Sequence, residues 1–242
     1  MQIDQKKIEL IFRDSSKQPK LEPLCWRILE HFQFPQHSLI CIFDDEERPE
    51  FTDPSSYGEN LCGLFEHVRE FHSECPDDLD EYVLENERFL RDVVIYLCYR
   101  TCHSPAGMTI TFAHELHHFM QYGCEPKAYQ ANRHLLHISR KYKYDNLPLW
   151  DFPHEYQAQL RSKGVAEDVL GVDEIRNYAE QQRLLGNDPE KWKFFLELNS
   201  QESFDLLENT KSLANDNMER LRELFPAHCI NEPDYTKTNW WE

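Results

Sequence analysis

Apolar positions are grouped in two ways along this chain. Residues 8–12 (IELIF) and 38–43 (SLICIF) are short continuous runs rich in β-branched side chains, and each predicts a strand. Between them Leu24, Ile28, Leu29 and Phe32 recur three and four residues apart, which predicts a helix beginning near Leu21 and ending near Phe34-Pro35. The acidic, Pro-bearing stretch 44–50 then reads as a solvated turn. Residues 51–74 admit two readings: Tyr57-Gly58 signals a turn, while LCGLFEHVREF fits an edge strand or a short helix. Acidic residues at 77–80 suit a helix start. Tyr82, Leu84, Phe89, Val93, Tyr96 and Leu97 follow at a mostly helical period and predict a helix to about Cys102.

From residue 104 onward the helical period dominates. Ser104-Pro105 supplies an N-cap and a proline at the first helical position, and Gly123 offers a left-handed stop after GMTITFAHELHHFMQY. A second helix is expected from Pro153 to Ser162, capped by Asp151 and ended by Gly164. Beyond it, Ile175, Tyr178 and Leu185, then Trp192, Phe195 and Leu196, then Phe204, Leu207, Leu221, Leu224 and Phe225 read as stacked helices over the core. The tail, with Tyr235, Trp240 and Trp241, is expected to dock back on the body. The fold class that follows is α+β, a small mixed sheet packed on the 105–122 helix with a predominantly helical C-terminal part. Residues 1–165 would form the core and residues 166–242 a helical extension packed on it.

The chemistry lies in HELHH. Four residues advance a helix by about one turn, so the imidazoles of His114 and His118 project from one face and can converge on one tetrahedral ion. Glu115, one step round, can reach a water on that ion, taking its proton and later delivering it to a leaving amine. In a chain with 12 His, HExxH arises by chance in roughly 6 per cent of shuffled sequences, so a third donor has to support it. Catalytic zinc takes three protein ligands and one open position. The segment LPLWDFPHEYQAQLRSKG supplies two candidates, His154 and Glu155, in one helical turn, where only one of two neighbours should face the ion.

HExxH followed on a later helix by P-x-E-x-x-A resembles the zincin metallopeptidases of the minimal gluzincin type. The matching residues are His114, Glu115, His118, Pro153, Glu155 and Ala158. The resemblance implies a zincin-like fold, a Zn2+ ion held by His114, His118 and Glu155, and Glu115 as general base in peptide hydrolysis. It leaves His154 beside the metal or facing substrate. Position 121 is Gln and position 124 is Cys, so the compact HExxHxxGxxH pattern is absent. Gln159 stands where larger gluzincins carry an Asp that orients a zinc-bound His, and an amide oxygen there would accept an imidazole N–H more weakly.

Other residues carry blander readings. His117 is expected at the surface or behind the ligands, and His134 and His137 lie between the two ligand helices as lesser rivals. Tyr142, Tyr144, Tyr156 and His154 are candidates to stabilise an oxyanion. Cys98 and Cys102 are four apart with no further ligand at metal spacing, so they read as core thiols.

Composition narrows the class of partner. A net charge of -18 opposes binding to nucleic acid or an anionic membrane and suits a basic peptide or protein substrate. The longest apolar run, residues 93–99, is too short to span a bilayer, and the N-terminal ten residues lack a signal-peptide core. The 8 Cys fall singly, without CxxC pairs, and N-x-Ser/Thr is absent, which points to reduced, mostly buried thiols in the cytoplasm. The expected activity is zinc-dependent peptide hydrolysis. The alternatives are a zincin-scaffold protein acting as a protein-binding or regulatory module, and a hydrolase of non-peptide amides. The sequence does not specify an oligomeric state.

Overall fold

A computed structural model of the protein describes residues 8–13, 16–33, 39–44, 63–67, 93–98, 104–129, 131–132, 136 and 148–213. Of the expected turn at 44–50, Asp44 belongs to a strand and residues 45–50 lie outside the described residues, as do the helix start at 77–80, the stretch around Tyr57-Gly58, Cys102, His134, His137, Tyr142, Tyr144, Leu221, Leu224, Phe225 and the aromatic tail.

The order of elements is strand β1 (Ile8–Phe12), helix α1 (Gln18–Leu29), strands β2 (Leu39–Asp44), β3 (Gly63–His67) and β4 (Val93–Cys98), then helices α2 (Pro105–Cys124), α3 (Pro153–Leu170), α4 (Val172–Leu185) and α5 (Pro189–Glu197). The described residues are mainly helical. The strands pair in the order β1-β2-β4-β3, parallel from β1 to β2 and β2 to β4, antiparallel from β4 to β3. The ambiguous segment at 63–67 is therefore an edge strand.

The expected helix reaching Cys102 is overturned at its C-terminal end, because Val93–Cys98 is β4. A six-residue apolar run satisfies a helical and an extended template equally well, and its length and β-branching favour the strand. Pairing on both edges, Ile40 with Val94 on one side and Glu66 with Val94 on the other, then satisfies the β4 backbone along its length.

Helix α2 is central. Its burial runs all round, including Met108, Ile110, Phe112, Ala113, Leu116 and Phe119, as expected of a helix with protein on every side. On one side Phe112, Leu116 and Phe119 join Ile28 and Leu29 of α1 and Phe43, Ile95 and Leu97 of the sheet in one core. Phe112 meets Phe43 edge to face with ring centroids 5.3 Å apart. On the other side Ala106 and Ile110 pack with Leu160 and Ala166 of α3, Ile175 and Ala179 of α4 and Phe195 of α5. The Arg27 guanidinium donates to the carbonyl of Val169, tying α1 to the end of α3.

Helix α1 begins and ends earlier than expected, at Gln18 and Leu29, and three expected caps or stops are not used. Gly123 is not a left-handed stop; α2 ends at Glu125 (φ -131, ψ 53), because the residue before Pro126 is driven out of the helical region. Asp151 does not cap α3. It ends a 3-10 turn, Leu149–Asp151, and the cap position belongs to the buried, extended Phe152, just before Pro153. Gly164 does not end α3 either, since Val165, Ala166 and Val169 continue the buried face, and their burial outweighs the roughly 1 kcal/mol that a mid-helix glycine costs. The break comes at Gly171, whose φ of 99 suits glycine. Helix α3 therefore runs through the boundary expected after residue 165. Of the thiols, Cys25 and Cys41 are free and buried, but Cys124 is exposed, because it closes the last turn of α2. Leu184 and Leu185 are exposed at the end of α4.

Among the described residues no helix is long and apolar enough to cross a membrane.

Phe112 is fully buried between helix and sheet. Phe112→Ala should lower unfolding free energy by about 3–5 kcal/mol in a denaturant titration, the range for an aromatic cavity in a close-packed core.

Candidate metal centre

The helix places the two histidines side by side on one face. The Ser104 hydroxyl accepts from the Gly107 N–H at 3.1 Å, a cap worth about 1 kcal/mol, with Pro105 in the first turn as the sequence predicts. His114 and His118 then lie one turn apart, and their Nε2 atoms come within 3.0 Å, ring planes nearly perpendicular. Helix α3 crosses α2 so that its first turn meets this face. Glu155 Oε2 is 3.2 Å from His114 Nε2, and Oε1 is 3.6 Å from His118 Nε2.

These separations carry the metal argument. Donors about 2.0–2.1 Å from a tetrahedral ion lie about 3.3 Å from one another. The imidazole pair at 3.0 Å lies near that edge length, the Glu155 carboxylate approaches His114 through Oε2 at 3.2 Å and His118 through Oε1 at 3.6 Å, and one donor atom from each of the three residues lies within 4.8 Å of the others, a group able to hold a metal ion. Two neutral imidazoles and one carboxylate are the donor set of a catalytic zinc site with an open fourth position. His154, the other candidate on the same turn, is buried beside this group, its Nε2 3.4 Å from Glu155 Oε1, with its ring against His118 and Tyr129. It acts here as a neighbour of the carboxylate, outside the three-donor group.

The charges respond to one another. Burial would raise the Glu155 carboxyl, yet the adjacent His118 charge and the contacts of His114 and His118 hold it well below the usual range. Burial pushes the Glu115 carboxyl up, with Glu155 adding to the push and His114 and His118 opposing it. The two carboxyls are thus shifted in opposite directions, one kept ionised and the other made more basic. For His118, burial disfavours the charged ring, but Glu155, Glu115 and a hydrogen bond to Gln121 together raise its pKa.

The support around the ligands differs from expectation. Among the described residues Gln159 makes no side-chain hydrogen bond to a ligand histidine. That position belongs to Gln121, whose Oε1 is 2.9 Å from His118 Nδ1. The Gln121 Nε2 donates to the His154 carbonyl and to Gln157 Oε1, each at 2.9 Å. Gln157 Oε1 also lies 3.1 Å from His117 Nε2, and Gln157 Nε2 donates to the Phe204 carbonyl at 3.4 Å. His117 is therefore half-buried in a polar network behind the ligands, and burial depresses its pKa to about 3 although the bond to Gln157 opposes the shift. The sequence signal was faint. Gln121 is one helical turn beyond His118 and Gln157 is two residues beyond Glu155, spacings that become informative only once α2 and α3 are known to cross. By contrast His114 Nδ1 is buried with no hydrogen-bond partner among the described residues. Tyr156 points away to Glu202, its hydroxyl donating at 3.2 Å, and its ring stacks on Phe204.

No protein-family model matches the chain, and no curated protein or solved structure matches it.

The folded protein keeps His117 neutral down to about pH 3, whereas an unfolded histidine takes up a proton below its ordinary value near 6.5. The unfolded state therefore binds the extra proton between those limits, and stability falls as pH falls through that window. Chelator-treated wild type should lose stability faster than His117→Gln between about pH 6.5 and 4.5. The difference in slope should be at most about 1.4 kcal/mol per pH unit, read from denaturant midpoints.

Proposed function

We propose that this protein is a zinc-dependent metallopeptidase of zincin-like, minimal gluzincin character. One observation supports the reading: the Nε2 atoms of His114 and His118 and the carboxylate of Glu155, from two different helices, converge with contacts of 3.0 to 3.6 Å beside a buried Glu115. Together these residues form the constellation that peptide hydrolysis needs: three ligands with an open position, and a proton acceptor outside the ligand set.

A zinc ion held there would lower the pKa of a water and polarise the scissile carbonyl. The chain's own residues do the rest. His114, His118 and Glu155 hold the charge in place, with Glu155 kept ionised by the two imidazoles. Glu115 takes the proton of the attacking water and hands it to the leaving amine, a task suited to a carboxyl made more basic by burial. The net charge of -18 favours a protein or peptide substrate with basic segments over nucleic acid or anionic membrane, and the single, unpaired cysteines favour a cytoplasmic setting.

A second reading keeps the metal and drops the reaction, making the protein a binding or regulatory module on this scaffold. It draws on the Nδ1 of His114, without a partner among the described residues, which with a metal on Nε2 would carry a buried proton at a cost of about 1–3 kcal/mol. That makes for a less rigid ligand than catalysis favours.

Metal analysis and a peptide-library cleavage assay separate the readings. Wild type should hold about one zinc per chain and His118→Ala should lose it, whereas equal metal in both rejects the site. Glu115→Gln should keep the zinc and lose about 10²–10⁴-fold in cleavage rate. Undiminished cleavage by that variant would overturn the role of Glu115, and zinc-loaded wild type that cleaves nothing would favour the binding module.

A further inference from the structure

The polar network behind His118 has a direction, and it can be read from its two ends. A main-chain carbonyl can only accept. The Phe204 carbonyl therefore selects the amide nitrogen of Gln157, which turns Gln157 Oε1 toward His117 and Gln121. The His154 carbonyl selects the amide nitrogen of Gln121 in the same way, and the Gln157 oxygen, also 2.9 Å away, selects it a second time. Flipping Gln121 would set its oxygen against two acceptors at once. Its oxygen is left facing His118 Nδ1 at 2.9 Å, in a buried position, and an acceptor there requires a proton on Nδ1.

We propose that Gln121, oriented by the His154 carbonyl and by Gln157, is a positioning residue that locks a proton on His118 Nδ1, so that Nε2 alone is available to a metal ion. This deepens the metal-centre reading above and rests on it for its consequence, though the proton on Nδ1 is a property of the metal-free chain. The lock holds whether the ring is neutral or charged, since Nδ1 donates in both states. When an ion arrives, the ring has no tautomer to exchange and no rotation to make. The Nε2 atom already faces His114 Nε2 and Glu155 Oε1 at 3.0 and 3.6 Å. Histidine ligands are usually oriented this way through their second nitrogen, and loss of such a partner typically weakens metal binding 10–100-fold. His114 lacks such a partner among the described residues, so the pre-organisation of the pair falls on His118.

The arrangement also joins three parts of the chain. Gln121 belongs to α2 and Gln157 to α3, while Phe204 lies beyond α5. The amide chain gives the segment after α5 a mechanical hold on a ligand it does not touch.

Nitrogen-15 NMR of the imidazoles reads the lock directly. In chelator-treated wild type, at a pH above the His118 titration as followed in the same spectra, the neutral ring should show a protonated Nδ1 and an imine-type Nε2. A protonated Nε2 tautomer there would overturn the proposal. Gln121→Met keeps the length of the side chain and removes the acceptor. It should shift His118 toward mixed tautomers and weaken zinc 10–100-fold in competition with a chelator. Gln121→Glu retains an acceptor and should restore the protonated Nδ1. A Gln121→Met protein with an unchanged His118 signal and zinc affinity within twofold of wild type would also overturn it. If wild type takes up no zinc, the metal-centre reading fails, while the NMR signal still decides the lock.

Discussion

Helix α2 is packed on opposite sides, against the sheet and α1 on one and against α3, α4 and α5 on the other. A helix so enclosed can carry polar side chains only where another segment answers them, because an unpaired buried polar group costs about as much as several buried methylenes contribute. His114, Glu115, His118 and Gln121 all lie on this helix, and the last three are buried. The first turn of α3 is what answers them. It brings Glu155 to the imidazoles, the His154 carbonyl to Gln121, and Gln157 to both Gln121 and His117.

The crossing of α2 and α3 thus does two jobs at once. It seals the second core, in which Ala106 and Ile110 meet Leu160 and Ala166, and it assembles the donors. The small residues at that contact let the helices approach closely, and the approach sets the 3.0 to 3.6 Å separations on which the metal reading stands. Geometry of this kind is held by packing and not by the ligands themselves, which is the condition for a pre-organised site. Mutual repulsion of Glu115 and Glu155 is opposed by the two imidazoles.

The two histidines of the motif are chemically unequal although they look equivalent in the sequence. His118 is buried against Tyr129 and His154 and has a fixed partner for Nδ1. His114 has a buried Nδ1 with no partner among the described residues. The difference arises because Nδ1 of His118 faces the crossing with α3, where carbonyls and amides converge.

What the amino-acid sequence determined by itself was whatever is settled within one helical turn or one short run. The strands at 8–12 and 39–44, the Ser104 cap, and the alignment of His114 with His118 depend on neighbours at most a few residues away, and all were legible. Where a local pattern fits two structures, it did not decide: Val93–Cys98 suits a helical period as well as a strand, and only β2 and β3 on its two edges made it extended. The glycines at 123 and 164 carry a permissive backbone, but permission is not instruction, and burial of Val165, Ala166 and Val169 carried α3 past one of them. The resemblance in P-x-E-x-x-A pointed to Glu155 over His154, but that Glu155 and not His154 joins the group able to hold an ion, and that Gln121 and not Gln159 meets His118, belonged to the tertiary structure. Both turn on which face of α3 lies against α2, and that is fixed by the packing of residues far apart in the chain.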